Sequence, residues 1–330
     1  MRPLKAFRVG IAWLAFITMR RLERIFSVTL LRCVMTPFIS LRVACKRKHS
    51  SIPLPECLCS GTGVSPVRTG THGRGARATK PNQFRISKQW QRQDRLNAAL
   101  EFFPDRLDEP KWRDRLKIRG LEYLETARRQ KRPVVLAFCH FGRYSLLRYW
   151  LRAAGYPAAM VVKGRSEDRS PLKRLKDRYS PFPKIPTAFY NENQLREMIE
   201  FVAAGNPLLM ALDVKLGKKL HVPVDDDWQF RMSSGPIRLA MRQRAELMAC
   251  LIVDHGGWNF EITLGPPVPV EVIESGNELR AGEHLLETIL PILRAHPEQC
   301  IEMLVKAFQP AVSGNRFVNE AIPSGQFVAG

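Results

Sequence analysis

The chain has 330 residues, enough to bury a proper core in one large domain or two small ones. Its apolar fraction of 45% and charged fraction of 25% are those of an ordinary globular protein. The net charge of +21 is unevenly spread, because residues 1–95 hold 19 of the 52 Lys and Arg residues but only three of the 31 acids. A basic arm on a nearly neutral body indicates a polyanionic partner, either nucleic acid or anionic lipid headgroups.

The N-terminal arm, residues 1–49, mixes apolar and basic residues. Its uncharged stretch 9–19 ends at Arg20 and Arg21 after 11 residues, shorter than the roughly 20 needed to span a bilayer. The pattern over 20–48 is typical of a helix lying in a membrane interface, broken near Pro37. The alternative is an ordinary helical hairpin that packs on the body. Since no DNA-reading motif is present, we expect an anionic membrane surface and no nucleic acid as partner.

Residues 50–87 are rich in Gly, Pro, Ser and Thr and contain few large apolar residues. This composition predicts a linker or insertion that is disordered. The seven cysteines are odd in number and scattered, so they imply no disulfide framework, and the lone C-x-C of Cys57 and Cys59 is poor evidence for a metal site. We therefore expect a reducing compartment and no metal.

The body, residues 88–312, alternates helical and strand patterns, and residues 313–330 form a tail. The predicted helices cover 111–129, 144–154, 172–179, 193–205, 233–245, 281–295 and 297–308. The predicted strands cover 134–139, 158–162, 207–212, 247–253 and 258–264. This alternation predicts an α/β fold with a mostly parallel central sheet that helices cover on both faces.

Two polar residues follow buried strands of this predicted sheet. The stretch "VVLAFCHFGRYSLLRYW", residues 134–150, places His140 at a strand end, and "LLMALD" places Asp213 at another. Ligands of such sheets bind beyond the carboxyl ends of the strands. The residues alone favour a structural role for His140 over a catalytic one. The chain carries neither G-x-S-x-G nor a P-loop, so nothing indicates a serine hydrolase or a kinase.

Five segments resemble, in order, the motifs of the bacterial lipid A biosynthesis (lauroyl/myristoyl) acyltransferases, within the glycerophospholipid and lysophospholipid acyltransferase-like group. The resemblance covers roughly residues 95–310. The segments are "NAALEFFPDRLDEPKWRDRLKIRGLEYLE", "CHFGRYSLL", "VVKGRSEDRSPLKRLKDRY", the pair "LLMALDVK" and "SSGPIRLA", and "LRAHPEQCIEML".

This resemblance implies an enzyme that moves a fatty acyl chain from acyl carrier protein or acyl-CoA to a hydroxyl of a membrane glycolipid, as in lipid A biosynthesis. It implies no cofactor beyond the acyl donor. It also implies a protein on the cytoplasmic face of the bacterial inner membrane, peripheral or anchored by the arm.

The resemblance assigns His140 as general base, a task that suits an unperturbed pKa of about 6.5. Family members carry an acid five residues after this histidine, where this chain has Ser145. Serine cannot offset an imidazolium charge, so three accounts are open. Asp213 takes over the role of the acid, His140 works unaided, or the chain is a catalytically degenerate relative that only binds lipid.

The resemblance also suggests substrate-binding residues. Arg165 and Arg178 are expected to hold anionic groups of acceptor or donor, because guanidinium forks match phosphate oxygens; the alternative is a solvated helix charge. Ser233, Ser234 and Gly235 open a helix whose amides form a phosphate or oxyanion site, or else the serines only cap it.

Overall fold

The computed structural model describes residues 14, 17–34, 51–53, 58, 83–85, 100, 104–163, 184–187, 192–215 and 217–311. The strands in chain order are β1 Ser51–Pro53, β2 Gln83–Arg85, β3 Leu116–Arg119, β4 Val134–Phe138, β5 Ala159–Lys163, β6 Lys184–Thr187, β7 Leu208–Ala211, β8 Lys219–Pro223, β9 Trp228–Ser233, β10 Glu246–Asp254, β11 Phe260–Leu264 and β12 Phe308–Pro310. The helices are α1 Pro110–Arg113, α2 Leu121–Arg129, α3 Leu147–Ala153, α4 Glu192–Ala203, α5 Gly235–Gln243, α6 Val270–Glu274, α7 Glu278–Ala295 and α8 Glu302–Val305.

Seven of the described strands form one sheet in the order β3-β11-β10-β4-β7-β5-β6. The neighbours from β10 to β6 all pair in parallel, whereas β11 runs antiparallel to β10 and parallel to β3. The predicted α/β class with a mostly parallel sheet is therefore confirmed. β4 and β7, the two strands that precede His140 and Asp213, lie side by side at its centre.

Both faces of the sheet are buried, because side chains alternate along each strand. Val135 and Ala137 of β4 join one apolar cluster with Ile237 of α5 and Leu285 of α7. On the opposite face, Leu136, Phe138 and their neighbours in β10 join a second cluster with residues of α2, α3 and the N-terminal segment, among them Leu124, Leu147, Trp150, Val28 and Leu31. Because β4 and β10 are buried on both faces, apolar residues occupy consecutive positions along them and do not alternate with polar ones.

One predicted helix is wrong in its middle. The apolar spacing predicts a single helix over 111–129, but β3 lies between α1 and α2 and pairs in parallel with β11. Gly120 ends this strand with φ +76°, and a Cβ there would come 2.2 Å from the Leu264 carbonyl oxygen. The edge pairing with β11 and the left-handed turn at Gly120 thus outweigh the helical propensity of the segment.

The predicted closing helix over 297–308 is also wrong. A 3-10 turn at Pro297–Gln299 and the short α8 are followed by β12, which pairs antiparallel with β9. β12 joins β9 and β8 in a separate three-stranded sheet that sequence analysis did not predict. Phe308 packs edge-on against Phe230 with 4.9 Å between ring centroids, a contact that stabilises the strand.

Parts of the predicted linker, 50–87, lie in regular structure. β1 and β2 pair antiparallel, with Ser51 opposite Arg85. Leu58 is fully buried in the first apolar cluster. The predicted disorder of the rest of the segment and the predicted tail 313–330 lie outside the described residues.

The described part of the N-terminal arm packs against the body. Residues 17–25 and 28–34 are helical, and Ser27 Oγ accepts from the Leu30 amide at the start of the second segment. The observed break thus lies at residues 26–27, while Pro37 lies outside the described residues. Within the ranges given above, no helix is both long and apolar enough to cross a membrane.

Glu23 anchors this segment from a fully buried position. Its carboxylate is ion-paired with Arg106 and, at 2.5 Å, with Lys111, and it accepts from Trp112 Nε1 at 3.2 Å. Burial alone would raise the pKa of Glu23, but the hydrogen bonds from Lys111, Arg106 and Trp112 outweigh it and hold the pKa below the usual 4.5. The anionic form of Glu23 therefore stabilises the folded state.

Replacing Glu23 with glutamine is expected to lower the free energy of unfolding by about 3 kcal/mol at pH 7, because two cations lose their buried partner. A depressed folded-state pKa contributes stability that is complete above the unfolded-state pKa and is lost as pH falls through the folded value. Urea unfolding at several pH values should therefore show a difference that shrinks in acid. The exposed control Glu125→Gln should change stability by less than about 0.5 kcal/mol. Equal effects of both variants would contradict this role.

Candidate active site

His140 and Asp213 meet because of the register between the two central strands. Phe138 of β4 lies opposite Ala211 of β7, so the residues two positions further along each chain are also neighbours. The Leu212 amide donates to the Phe138 carbonyl at 2.8 Å and continues the ladder past the strand ends. This edge of the sheet is where parallel α/β folds bind ligands.

Asp213 holds His140 with both carboxylate oxygens. Oδ2 accepts from the His140 backbone amide at 3.0 Å, and Oδ1 lies 2.7 Å from the ring nitrogen Nδ1. The Asp213 side chain is fully buried, and that of His140 is 13% exposed. Because an ionised carboxylate only accepts, Nδ1 carries the proton in this pair. The lone pair of the neutral ring is therefore on Nε2, which can take a proton from a substrate.

Aromatic side chains pack around the imidazole ring. Tyr144 meets it edge-on at 4.5 Å between centroids, and Phe138 lies at 5.9 Å. The Phe141 amide donates to the Cys139 carbonyl at 2.7 Å, which closes a tight turn around His140. The ring is thus restricted by packing as well as by Asp213.

A glutamine far away in the chain secures the turn after His140. The Gln299 side chain, 2% exposed, exchanges two 3.0 Å hydrogen bonds with the backbone of Asp254 at the end of β10. Its backbone carbonyl accepts from the Gly142 amide at 3.0 Å. Gly142 itself has φ +52°, and a Cβ there would lie 2.2 Å from the Ile252 carbonyl oxygen. The segment "HPEQ" therefore holds the "HFG" turn against β10.

Replacing Gly142 with alanine is expected to destabilise the fold and to reduce activity strongly. The left-handed conformation costs a residue with a Cβ about 1–2 kcal/mol, and the contact with Ile252 forces the turn that carries His140 to move. Gly155→Ala is the matched control, since Gly155 has φ +89° but no atom within 4 Å of its Cβ position. Thermal unfolding and acyl-transfer rates should show that only Gly142→Ala loses activity; equal losses would contradict this account.

A cationic side chain, that of Lys219, lies next to the residue that follows Asp213. Lys219, the first residue of β8, donates from Nζ to the Val214 carbonyl at 2.5 Å. Its partial burial and the neighbouring Arg231 lower the pKa of Lys219 to about 8, against the opposing field of Asp213. The charge of Asp213 therefore favours the protonated form of Lys219, and the charge of Arg231 disfavours it.

The structure describes part of the predicted substrate-binding set. The amides of Ser233 and Ser234 donate to the carbonyls of Leu212 and Lys218 at 2.6 and 3.1 Å, so these two amides fix the Asp213 loop. Gly235 begins α5, and a Cβ there would lie in ordinary contact, 3.7 Å from Met210. Ser145 lies in a half-buried 3-10 turn, Tyr144–Leu146. Arg165 and Arg178 lie outside the described residues.

The thiols of Cys139 and Cys300, which lie beside the site, are unreactive. Burial, followed by the charge of Asp213, raises the pKa of Cys139 far above its usual value, and burial likewise raises that of Cys300. Both are therefore neutral at physiological pH and unsuited to attack a thioester. Among the residues described, no group of three His, Cys, Asp or Glu side chains could hold a metal ion.

These features define an α/β protein with a histidine–aspartate pair at the carboxyl edge of a parallel sheet. A family model for the bacterial lipid A biosynthesis acyltransferases matches residues 98–308, so the chain belongs to this family and is an acyltransferase that acts on lipid. A search of curated proteins finds no match. A similar solved structure is the crystal structure of the 1-acyl-sn-glycerophosphate (LPA) acyltransferase PlsC from Thermotoga maritima, with 14% identity, 88% of this chain and 98% of that chain covered, and a TM-score of 0.38.

Sequence reasoning missed three contributors to this site. Gln299 lies in the segment "HPEQ", whose sequence does not indicate its partner, and Lys219 and Arg231 lie outside the predicted helices and strands. The alternation in "KLHVP" and "WQFRMS" around the turn at 225–227 was a usable signal for a hairpin. The hydrogen bonds between Gln299 and Asp254 join residues 45 positions apart, so no local sequence pattern predicts them.

Proposed function

We propose that this chain is a catalytically active acyltransferase in which the His140–Asp213 pair is the working base. The observation that supports it is the double contact of Asp213 with the ring and the backbone of His140. A carboxylate in this position fixes the tautomer and stabilises the imidazolium ion that forms during proton transfer. These are the two tasks for which Ser145 is unsuited.

The proposed reaction begins at Nε2 of His140. Nε2 takes the proton of an acceptor hydroxyl while the hydroxyl oxygen attacks the thioester carbonyl carbon of the acyl donor. The tetrahedral intermediate then expels the thiolate, and the imidazolium returns its proton to that sulfur. A new ester and a free thiol result. Throughout these steps Asp213 accepts from the His140 backbone amide as well as from the ring, which keeps the imidazole in place.

The proposed donor is an acyl carrier protein or an acyl-CoA, and the proposed acceptor is a hydroxyl of a membrane glycolipid of the lipid A type. The family supports acyl transfer to lipid in general, and the finer assignment is our proposal. Lipid mass spectrometry of a deletion strain should reveal a lipid that lacks one acyl chain. Complementation with the wild-type chain should restore it, and the His140→Ala chain should not.

The missing motif acid favours a second candidate, a degenerate relative that binds lipid without turnover. In that case the deletion strain would show unchanged acylation. Purified protein would then bind the acceptor without consuming acyl donor. The complementation experiment and an assay of free thiol release therefore separate the two functions.

We further propose that the arm contacts the anionic surface of the inner membrane on its cytoplasmic face. Its inner side packs on the body through Val28 and Leu31, whereas Leu14, Ile25 and Leu30 are 67%, 73% and 48% exposed. The basic residues Arg21 and Arg24 are exposed among them. Apolar side chains surrounded by basic ones are typical of a helix that lies in a lipid interface.

Sedimentation with phosphatidylglycerol vesicles tests this surface. The triple variant Leu14→Ser, Ile25→Ser and Leu30→Ser should weaken binding by at least about 10-fold, because three side chains no longer bury apolar area. Salt should reverse wild-type binding only in part, since screening leaves that apolar area buried. The control Leu195→Ser, at a position 40% exposed on α4, should bind normally. Unchanged binding of the triple variant would rule the surface out.

A further inference from the structure

The β8–β9 hairpin has one apolar and one polar face. Val222, Phe230 and Met232 are fully buried against the first apolar cluster. The alternate positions carry polar side chains, and the register pairs them directly across the two strands: Lys219 with Ser233, and His221 with Arg231. Since side chains alternate along a strand, all four polar residues lie on the same face.

The inner end of this polar face adjoins Asp213. The Ser233 amide donates to the carbonyl of Leu212, the residue before the aspartate, at 2.6 Å. Lys219 Nζ donates to the carbonyl of Val214, the residue after it. Both strands of the hairpin therefore bond to the backbone on either side of Asp213, so one end of the polar face lies next to the histidine–aspartate pair.

This face brings two cations together. Lys219 and Arg231 are diagonal neighbours in the hairpin, close enough that Arg231 opposes the protonation of Lys219. Arg231 is half-buried, and its Nε is inaccessible to solvent and has no hydrogen-bond acceptor among the described residues. A buried donor without an acceptor is costly. An anion bound at Arg231 would accept this hydrogen bond and remove the cost.

We propose that Lys219 and Arg231 form a phosphate-binding site that anchors a substrate while its reacting atom lies at Nε2 of His140. A guanidinium and an ammonium group can together bind the oxygens of one phosphate. This inference rests on the proposed acyl transfer, whose substrates supply two sources of phosphate. One is the phosphopantetheine of the donor, and the other is a phosphorylated headgroup of the acceptor.

Titration calorimetry on the full chain with two matched probe pairs tests the site. 4′-Phosphopantetheine against pantetheine represents the donor, and glucose 1-phosphate against glucose represents a sugar-phosphate headgroup. The wild-type chain should bind the phosphorylated member of one pair about 10- to 100-fold more tightly, which is the effect of hydrogen bonds to a charged group. Lys219→Gln and Arg231→Gln should each remove most of that preference.

Matched variants separate phosphate binding from folding. Lys218→Gln removes a neighbouring lysine whose Nζ lies 3.5 Å from Glu278, and it should keep the preference. Lys219→Arg and Arg231→Lys keep the charge and should retain part of it. Arg231→Gln is the cleaner of the two neutral variants, because Lys219 also supports the Asp213 loop.

The pair of probes that responds identifies the source of the phosphate. No preference for phosphate in the wild-type chain, or a preference that survives both neutral variants, would overturn the inference. Because these titrations need no turnover, an inactive chain that keeps the preference would refute the proposed acyl transfer and leave this site standing.

Discussion

Replacing His140 with alanine is expected to lower the rate of acyl transfer by about 10²–10⁴-fold or more, the usual contribution of a general base. The only ring nitrogen available to a substrate is Nε2, since Nδ1 is held by Asp213 at 2.7 Å. Alanine removes this base and leaves a hydroxyl that must lose its proton to water. The effect should fall mainly on kcat, because proton transfer belongs to the transition state.

The control for this variant is His255→Ala. His255 follows β10, and its side chain is 45% exposed, with 3.7 Å between Nε2 and Glu261. This change should leave the rate within about twofold, as surface substitutions have little effect on stability. Circular dichroism and thermal unfolding should show that both variants are folded. A His140→Ala chain that transfers acyl groups at the wild-type rate would remove His140 from the mechanism.

The central part of this site was predictable from sequence because its signals are local. A buried apolar run ends at His140 and another at Asp213, and carboxyl ends of parallel strands share one edge of the sheet. These apolar runs do not indicate the order of the strands in the sheet. The direct adjacency of β4 and β7, and hence the contact between the two residues, follows from long-range pairing that only the structure reveals.

The errors have a common physical origin in tertiary pairing. The segment 111–129 has helical spacing, yet Leu116 and Ile118 pair with β11 at an edge of the sheet. Local propensity is a weak prior that such contacts override. Likewise, the side-chain amide of Gln299 bonds to the backbone of Asp254 at the end of β10, as a neighbouring strand would. This role depends on where Gln299 lies in the fold, and no local residue pattern indicates it.

The identity of the second catalytic partner leads to the other large expected effect. Asp213→Asn should lower kcat by up to about 10⁴-fold, the loss seen when an aspartate that orients a histidine becomes an amide. Asparagine can offer its NH₂ to Nδ1, which would move the ring proton to Nε2 and abolish the base. It also cannot offset the imidazolium charge. A change of less than about tenfold would mean that His140 works unaided.

Ser145→Glu separates the remaining accounts through its coupling with Asp213→Asn. With Asp213 present, Nδ1 already has a carboxylate partner, so a second carboxylate that reached the ring would be repelled by the first. We therefore expect Ser145→Glu alone to leave the rate unchanged or to lower it. In the Asp213→Asn background the new glutamate occupies the position of the family's usual acid, and it should recover part of the lost rate. Measured together, the two single variants and the double variant should give an interaction free energy of about 0.5–3 kcal/mol, which indicates a shared partner. If the free-energy changes of the two single variants simply add in the double variant, the residue at position 145 does not interact with His140, and Asp213 alone orients the base.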